Sequence, residues 1–280
     1  MTTVGFIGLG RMGGAMAGHL VAAGHRVIGV DPSSQARDEA SRSGVEAVEA
    51  MMDFQVPVVL SSLPGDAEAE AVYLGGLFDR LEPGALCLDM STIDVTVSSR
   101  IASVARDSGH HFLDCPVSGT SVHARAGTLA VMVGGDPEAV EQARPYLGAF
   151  SSSIHHLGSN GAGLEMKLIT NRLLNAHVVA IAESILEMEE AGLDTTACLQ
   201  LLRQGAVPRL LDYKAGPMAE RDHRPLFTVA LMAKDLGLAD ARRPPGPVSA
   251  AGAEILRLAR DRGWGDSDIG AVIEVLSQGG

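Results

Sequence analysis

Through about residue 157, short runs rich in β-branched residues alternate with stretches of helical periodicity, and this alternation limits the possible folds most. The runs are 4–7, 26–30, 56–60, 86–90, 112–117 and 129–133. Strands separated by helices need crossover connections, which make a mostly parallel sheet covered on both faces. The unbroken apolar character of VPVVL at 56–60 and ALCL at 85–88 fits strands buried on both sides. The first half therefore reads as doubly wound α/β.

After Gly161-Ala162-Gly163 the strand pattern ends. Helical periodicity runs over 164–191, 195–204, 226–241, 250–262 and 266–276, so the second half reads as all-helical. Asp194 and Asp266 suit N-caps, and Gly192 and Gly263 suit helix C-termini. The run Arg242-Arg243-Pro244-Pro245-Gly246-Pro247 reads as a loop, because its prolines remove donors and clash with a preceding turn. The expected domains are 1–160 and 161–280, the second opening with a long helix.

The composition excludes several classes. A formal charge of −12 without a Lys/Arg-rich stripe argues against nucleic acid as a partner. No uninterrupted apolar run of membrane-spanning length occurs, and no secretory leader pattern opens the chain, so a cytoplasmic location is expected. Cys87, Cys115 and Cys198 are odd in number and widely spaced, which suits reduced, buried thiols. His110-His111 and His155-His156 lack a carboxylate at ligand spacing, so no metal is expected.

Gly8-Leu9-Gly10-Arg11-Met12-Gly13 lies between a strand and a helical stretch at 12–23, the context in which such a glycine pattern binds a dinucleotide. Gly8 permits the turn, Gly10 admits a pyrophosphate, and Gly13 lets helix and strand pack closely. N–H groups at the helix start, with Met12 at its edge, face the anion. Asp31 ends the second strand, where a carboxylate accepts ribose hydroxyls. Its charge repels a 2′-phosphate and favours NAD over NADP, although Arg37 lies one helical turn away. Asp31 can alternatively serve as a helix cap.

Four further segments complete a pattern: Leu63-Pro64, Asp89-Met90-Ser91-Thr92, Asp114-Cys115-Pro116-Val117-Ser118-Gly119-Thr120, and Gly161-Ala162-Gly163 running on through Lys167 to Asn171. With Lys234-Asp235-Leu236 downstream, the chain resembles the β-hydroxyacid dehydrogenase family over nearly its whole length. Members include 3-hydroxyisobutyrate dehydrogenase and tartronate semialdehyde reductase. The resemblance implies a Rossmann-type domain followed by a helical domain, with homodimers or homotetramers as the assembly. It implies Lys167 as the catalytic residue, and Ser118, Gly119, Thr120 and Asn171 as substrate-binding residues. It places Leu63, Thr92 and Lys234 beside the cofactor.

Physical chemistry supports several of these roles. Lys167 and Asn171 are four apart on a helix and share a face. A lysine can accept the hydroxyl proton in oxidation or donate it in reduction. The Ser118 turn offers N–H groups and hydroxyls to a small carboxylate substrate. Thr120 stands where many relatives have a second glycine and narrows the pocket; Thr92 can alternatively cap the following helix. Asn175, His177, Arg125 and Arg172 read as structural or solvated. Gly205-Ala206-Val207-Pro208-Arg209 replaces the cysteine-tryptophan motif of 3-hydroxyisobutyrate dehydrogenases, a lean toward the semialdehyde reductases. The reading is an NAD-dependent dehydrogenase interconverting a small 3-hydroxy acid and its semialdehyde or keto acid. Imine reduction and a catalytically silent dinucleotide-binding module are the alternatives.

Overall fold

The computed structural model describes residues 1–50, 54–204 and 214–277. The chain divides into two compact units, Met1–Lys167 and Leu168–Gly280.

In the first unit the strands are β1 (Thr3–Ile7), β2 (Arg26–Val30), β3 (Glu46–Val48), β4 (Val58–Ser61), β5 (Leu86–Asp89), β6 (His111–Asp114), β7 (Val117–Ser118), β8 (Leu129–Gly134) and β9 (Ser151–Gly158). The helices between them are α1 (Gly13–Ala22), α2 (Ser34–Ser41), α3 (Asp66–Val72), α4 (Val95–Asp107), α5 (Ser121–Ala126) and α6 (Pro137–Leu147). The sheet order is β3-β2-β1-β4-β5-β6-β8-β7, with β9 paired to β8. From β3 to β6 all pairs are parallel. This 3-2-1-4-5-6 order is the Rossmann arrangement, and its direction of winding reverses between β1 and β4, where ligands bind in such sheets. One face of the sheet carries the core of Phe6, Leu60, Leu88 and Leu113 from the strands with Met16, Leu20 and Leu147 from the helices, and the alternate residues Val59, Cys87 and Phe112 are buried on the other face.

Two features depart from the sequence-based expectation. The run at 112–117 is two short strands, β6 and β7, because Pro116 interrupts it, and both pair antiparallel with β8. The strand β3 is only the three residues Glu-Ala-Val at 46–48 and β9 is the mostly polar Ser151–Gly158, so shortness in one and exposed polar residues in the other hide them from an apolar-run criterion.

In the second unit α7 (Ala162–Glu190), which begins within the first, continues beside α8 (Thr195–Leu202), α9 (Gly216–Ala219), α10 (Val229–Arg242), α11 (Pro247–Ala259) and α12 (Val272–Ser277). Val178, Ala182 and Ile185 of α7 pack with Met232, Leu256 and Ile273. Asp194 caps α8 by accepting from Ala197 N, and Gly192 and Gly263 take left-handed conformations. The cap expected at Asp266 is instead Asp268, which accepts from Gly270 N; α12 proper starts only at Val272. The proline-rich loop is shorter than its sequence suggests. Arg242 still belongs to α10, and Pro247 opens α11, where a missing N–H is harmless. Residues 205–209 lie outside the described residues.

Asp268 also anchors the unit. Its carboxylate accepts from Lys214 Nζ at 2.5 Å and from the backbone N–H groups of Leu226 and Phe227. Lys214 is 3% exposed, and burial pulls its pKa down while Asp268 opposes that. Removing one partner strands a buried charge, so Asp268→Ala should cost about 3–5 kcal/mol, measured as a lower urea midpoint.

Candidate functional site

The turn after β1 is shaped by contacts that side chains would block. Gly8 has φ +90°, donates its N–H to Val30 O at 2.8 Å, and sits where a Cβ would lie 2.3 Å from Ser62 O. A Cβ on Gly13 would lie 1.9 Å from Gly8 O, so α1 packs directly on the end of β1. Gly10 is different: it is exposed and nothing stands within 4 Å of the position its Cβ would take. Met12, at the N-cap of α1, supplies no side-chain acceptor, so no side chain there competes with an anion. The residues fit a dinucleotide pyrophosphate, for which Gly10 leaves an open cradle.

Asp31 stands at the carboxyl end of β2. Its Oδ2 accepts from Leu9 N at 2.8 Å and its Oδ1 from Ser33 N at 2.8 Å. The carboxylate therefore ties the glycine turn to the β2 end, while the cap of α2 is Ser33, which accepts from Ala36 N. Arg37 turns its guanidinium onto the carbonyls of Asp31 and Pro32, at 2.8 and 2.9 Å.

Leu63, half-buried after β4, is held by a relay. Its N–H donates to Ser91 Oγ at 2.8 Å, and Ser91 Oγ donates to Asp89 Oδ1 at 2.5 Å. Ser61 Oγ and Ser91 N donate to the same oxygen. Asp89 is buried, and its Oδ2 has no hydrogen-bond partner. Burial lifts its pKa above the usual carboxylate range, the serine donors oppose that, and the charge of Asp114 adds to the lift. Thr92, half-buried, follows this relay; the cap of α4 is Asp94, which accepts from Thr96 N.

Asp114 ends β6, in register with Asp89 on β5. It is buried, and its oxygens accept from Gly161 N at 2.7 Å and Leu164 N at 3.0 Å. The carboxylate thus meets the positive end of α7. Burial raises its pKa, and the backbone N–H bonds pull against the rise. Lys167, half-buried, follows Leu164 on the same helix, three residues on.

Ser118 is half-buried and Gly119 exposed in the turn between β7 and α5. Thr120 caps α5: its Oγ1 accepts from Val122 N, and its own N–H donates to His123 Nδ1 at 3.1 Å. That N–H is thereby already engaged, which leaves the open donors of the turn to its other members.

In the second unit Asn171 is buried and donates from Nδ2 to Asp235 Oδ2 at 2.6 Å. Asp235 is buried on α10, and Lys234 Nζ stands 3.1 Å from its Oδ1. Arg172 pairs with Asp240 at 2.7 Å, and His177 bonds the carbonyl of Leu173, both structural contacts. Cys87 and Cys115 are buried, and burial pushes both thiols up; Cys198 is only half-buried, since α8 has a single fully buried face residue, Leu199. Among the described residues no group of His, Cys, Asp and Glu has the arrangement of a metal site, and no helix is long and apolar enough to cross a membrane.

Comparison with known proteins agrees in both halves. Residues 3–158 match the NAD binding domain of 6-phosphogluconate dehydrogenase, and residues 161–276 match the NAD-binding domain of NADP-dependent 3-hydroxyisobutyrate dehydrogenase. The chain is 36% identical to an NAD-dependent L-serine dehydrogenase of Pseudomonas aeruginosa over 97% of each protein. The chain belongs to the β-hydroxyacid dehydrogenase family. It is also 37% identical to a probable 3-hydroxyisobutyrate dehydrogenase of Mycobacterium tuberculosis, over 99% of this chain and 98% of that protein. A solved structure of the Mycobacterium tuberculosis 3-hydroxyisobutyrate dehydrogenase with L-serine aligns with a TM-score of 0.86 at 35% identity, covering 99% of each chain. The relatives also include a glyoxylate/succinic semialdehyde reductase of Arabidopsis thaliana, 31% identical over 98% of this chain and 79% of that protein. A nicotinamide dinucleotide is the family's cofactor class.

Asp89, Ser91, Asp114 and Asp235 fall inside the motifs that carry the family resemblance, but no role was assigned to them from the sequence. The available signal was an acidic residue closing an apolar strand, in Leu86–Asp89 and His111–Asp114.

Two outcomes follow from these geometries. Gly10→Ala, which meets nothing in the protein, should leave stability within about 0.5 kcal/mol yet weaken NADH binding about tenfold or more, a loss of about 1.4 kcal/mol. Gly13→Ala, which meets the Gly8 carbonyl, should lower both; melting curves and NADH fluorescence titration separate the two. Asp89 binds its proton more tightly folded than unfolded. Its favourable contribution is present below the ordinary aspartate pKa of about 3.9 and is lost as pH rises through the lifted value. Stability of Asp89→Asn should therefore fall less than that of the parent protein between acidic and neutral pH in urea titrations.

Proposed function

We propose that this chain is an NAD-dependent dehydrogenase interconverting a small 3-hydroxy acid and its semialdehyde or keto acid, with Lys167 as general acid and base. The observation that carries this reading is the open cradle at Gly10 in a Rossmann sheet whose β6 end, at Asp114, holds the first turn of the helix that bears Lys167.

NAD, when bound, supplies the hydride acceptor for the alcohol carbon. Gly8, Gly10, Met12 and Gly13 hold the pyrophosphate, Asp31 receives the ribose hydroxyls, and Leu63 and Thr92 line the cofactor. The charge of Asp31 disfavours a 2′-phosphate and is the basis for preferring NAD. Ser118, Gly119 and Thr120 orient the substrate carboxylate. Asn171 and Lys234 keep the roles the family pattern assigns, at the substrate and at the nicotinamide end.

Lys167 takes the hydroxyl proton of the substrate at its Nζ during oxidation, and its ammonium returns that proton during reduction. An ordinary lysine is protonated near neutrality, so the oxidative direction runs faster as pH rises toward the lysine pKa. The named relatives act on L-serine and 3-hydroxyisobutyrate, both small acids with a 3-hydroxyl, which supports that substrate class here. The reading includes a homodimer or homotetramer in the cytoplasm.

The test is turnover of 3-hydroxyisobutyrate, L-serine, glycerate, threonate and 4-hydroxybutyrate with NAD and with NADP. At least one 3-hydroxy acid should be oxidised faster with NAD. Lys167→Ala should lower kcat about 10²–10⁴-fold while NADH affinity holds. Undiminished turnover in that variant removes the assigned role, and binding of NADH without turnover of any acid removes the enzyme reading.

A further inference from the structure

α7 opens on a local backbone contact, the N–H of Ala162 donating to Ser159 O at 3.0 Å. Asn160, which precedes it, directs Nδ2 to Phe112 O at 2.7 Å, on β6. The side-chain acceptor for this start comes from a residue 47 positions upstream: Asp114 takes the N–H of Gly161, and that of Leu164. The two oxygens engage N–H groups three residues apart, so they fix both the height and the rotation of that turn against β6.

The space around this carboxylate is cut to fit. A Cβ on Gly134 would stand 2.5 Å from Oδ1, and a Cβ on Gly163 would stand 2.9 Å from Oδ2 and 2.5 Å from Met132 O. Glycines on β8 and α7 thus let three backbones close on one side chain. A local serine or asparagine cap would stabilise a helix by about 1 kcal/mol without burying a charge. A fully buried carboxylate carries a desolvation cost, so its distinctive contribution is a single defined geometry. The next turn of the helix bears Lys167, whose placement inherits that geometry. The same strand end leads through Pro116 to Ser118 and Gly119, so one short segment, residues 114–119, holds both the helix start and the turn offered to the substrate carboxylate.

We propose that Asp114 is the positioning residue of Lys167: by clamping Gly161 N and Leu164 N it sets where the lysine amine stands against the Rossmann sheet. This rests on the reading of Lys167 as the acid and base. Asp114 transfers no proton and touches no substrate; it acts through the backbone of α7.

Asp114→Asn keeps the size of the side chain but turns an NH₂ toward one of the two backbone donors, so one clamp bond is lost. Parent protein, Asp114→Asn and Lys167→Ala are compared with NAD and whichever of 3-hydroxyisobutyrate and L-serine the parent oxidises. For Asp114→Asn, kcat should fall about 10- to 100-fold, the scale of an ångström-sized misplacement. KM and the NADH dissociation constant from fluorescence should stay within about threefold, well under the tenfold step of 1.4 kcal/mol, and the alkaline limb of the kcat–pH profile should move. A purely structural role would lower the melting temperature and leave kcat per folded molecule and the pH limb in place; that result overturns the proposal. Should Asp114→Asn fail to fold, Asp114→Ser, which retains one acceptor, is read by the same criteria. If Lys167→Ala retains full turnover, the reading of Lys167 fails; if it is inactive while Asp114→Asn matches the parent, only the role of Asp114 fails.

Discussion

The contact on which the dinucleotide unit depends is the close approach of α1 to the end of β1, where Gly13 lies against the carbonyl of Gly8. No side chain fits between them, so the helix start is aimed at the point where the sheet reverses its winding. From that fixed origin the other parts of the site take their places. Leu9 reaches Asp31 on β2, Ser62 lies over Gly8 from β4, and Leu63 is drawn toward Asp89 on β5 through Ser91. Each link joins the carboxyl end of one parallel strand to a neighbour. The edge of the sheet is thereby a cross-braced rim rather than a row of independent loops.

The parts of the fold legible in the sequence are those with one dominant physical cause. Continuous apolar strands buried on both faces, such as Val58–Ser61 and Leu86–Asp89, announce themselves by composition. The long helix is equally clear, because Val178, Ala182 and Ile185 recur at helical spacing. The parts that escaped are governed by tertiary contact. β9 is polar along most of its length and is a strand because β8 offers it an edge. Asp266 and Asp268 are indistinguishable as caps until the chain brings Lys214 and the N–H groups of Leu226 and Phe227 to the second of them.

The candidate site divides in the same way. The glycine turn and Asp31 carry their chemistry in local spacing, and Lys167 and Asn171 share a helix, so they could be picked out from the chain alone. The tasks of Asp89 and Asp114, which lie within the quoted motifs, could not, since besides the neighbouring Ser91 their partners Ser61 and Gly161 are 28 and 47 residues distant. Thr120 was read as a pocket-narrowing side chain, and its hydroxyl and N–H have the further task of capping α5 with His123. A side chain two bonds from a turn can serve the backbone first, and spacing alone does not reveal which task it has.

The double engagement of Asp31 has a consequence for how this protein could diverge. In the proposed NAD-dependent reading, one carboxylate both disfavours a phosphorylated ribose and restrains Leu9 within the glycine turn. Selectivity and mechanical anchorage are thus vested in the same two oxygen atoms. On that reading, a substitution that sheds this charge to admit a phosphorylated ribose must also supply Leu9 with another acceptor, so the coenzyme site and the glycine turn can change only together.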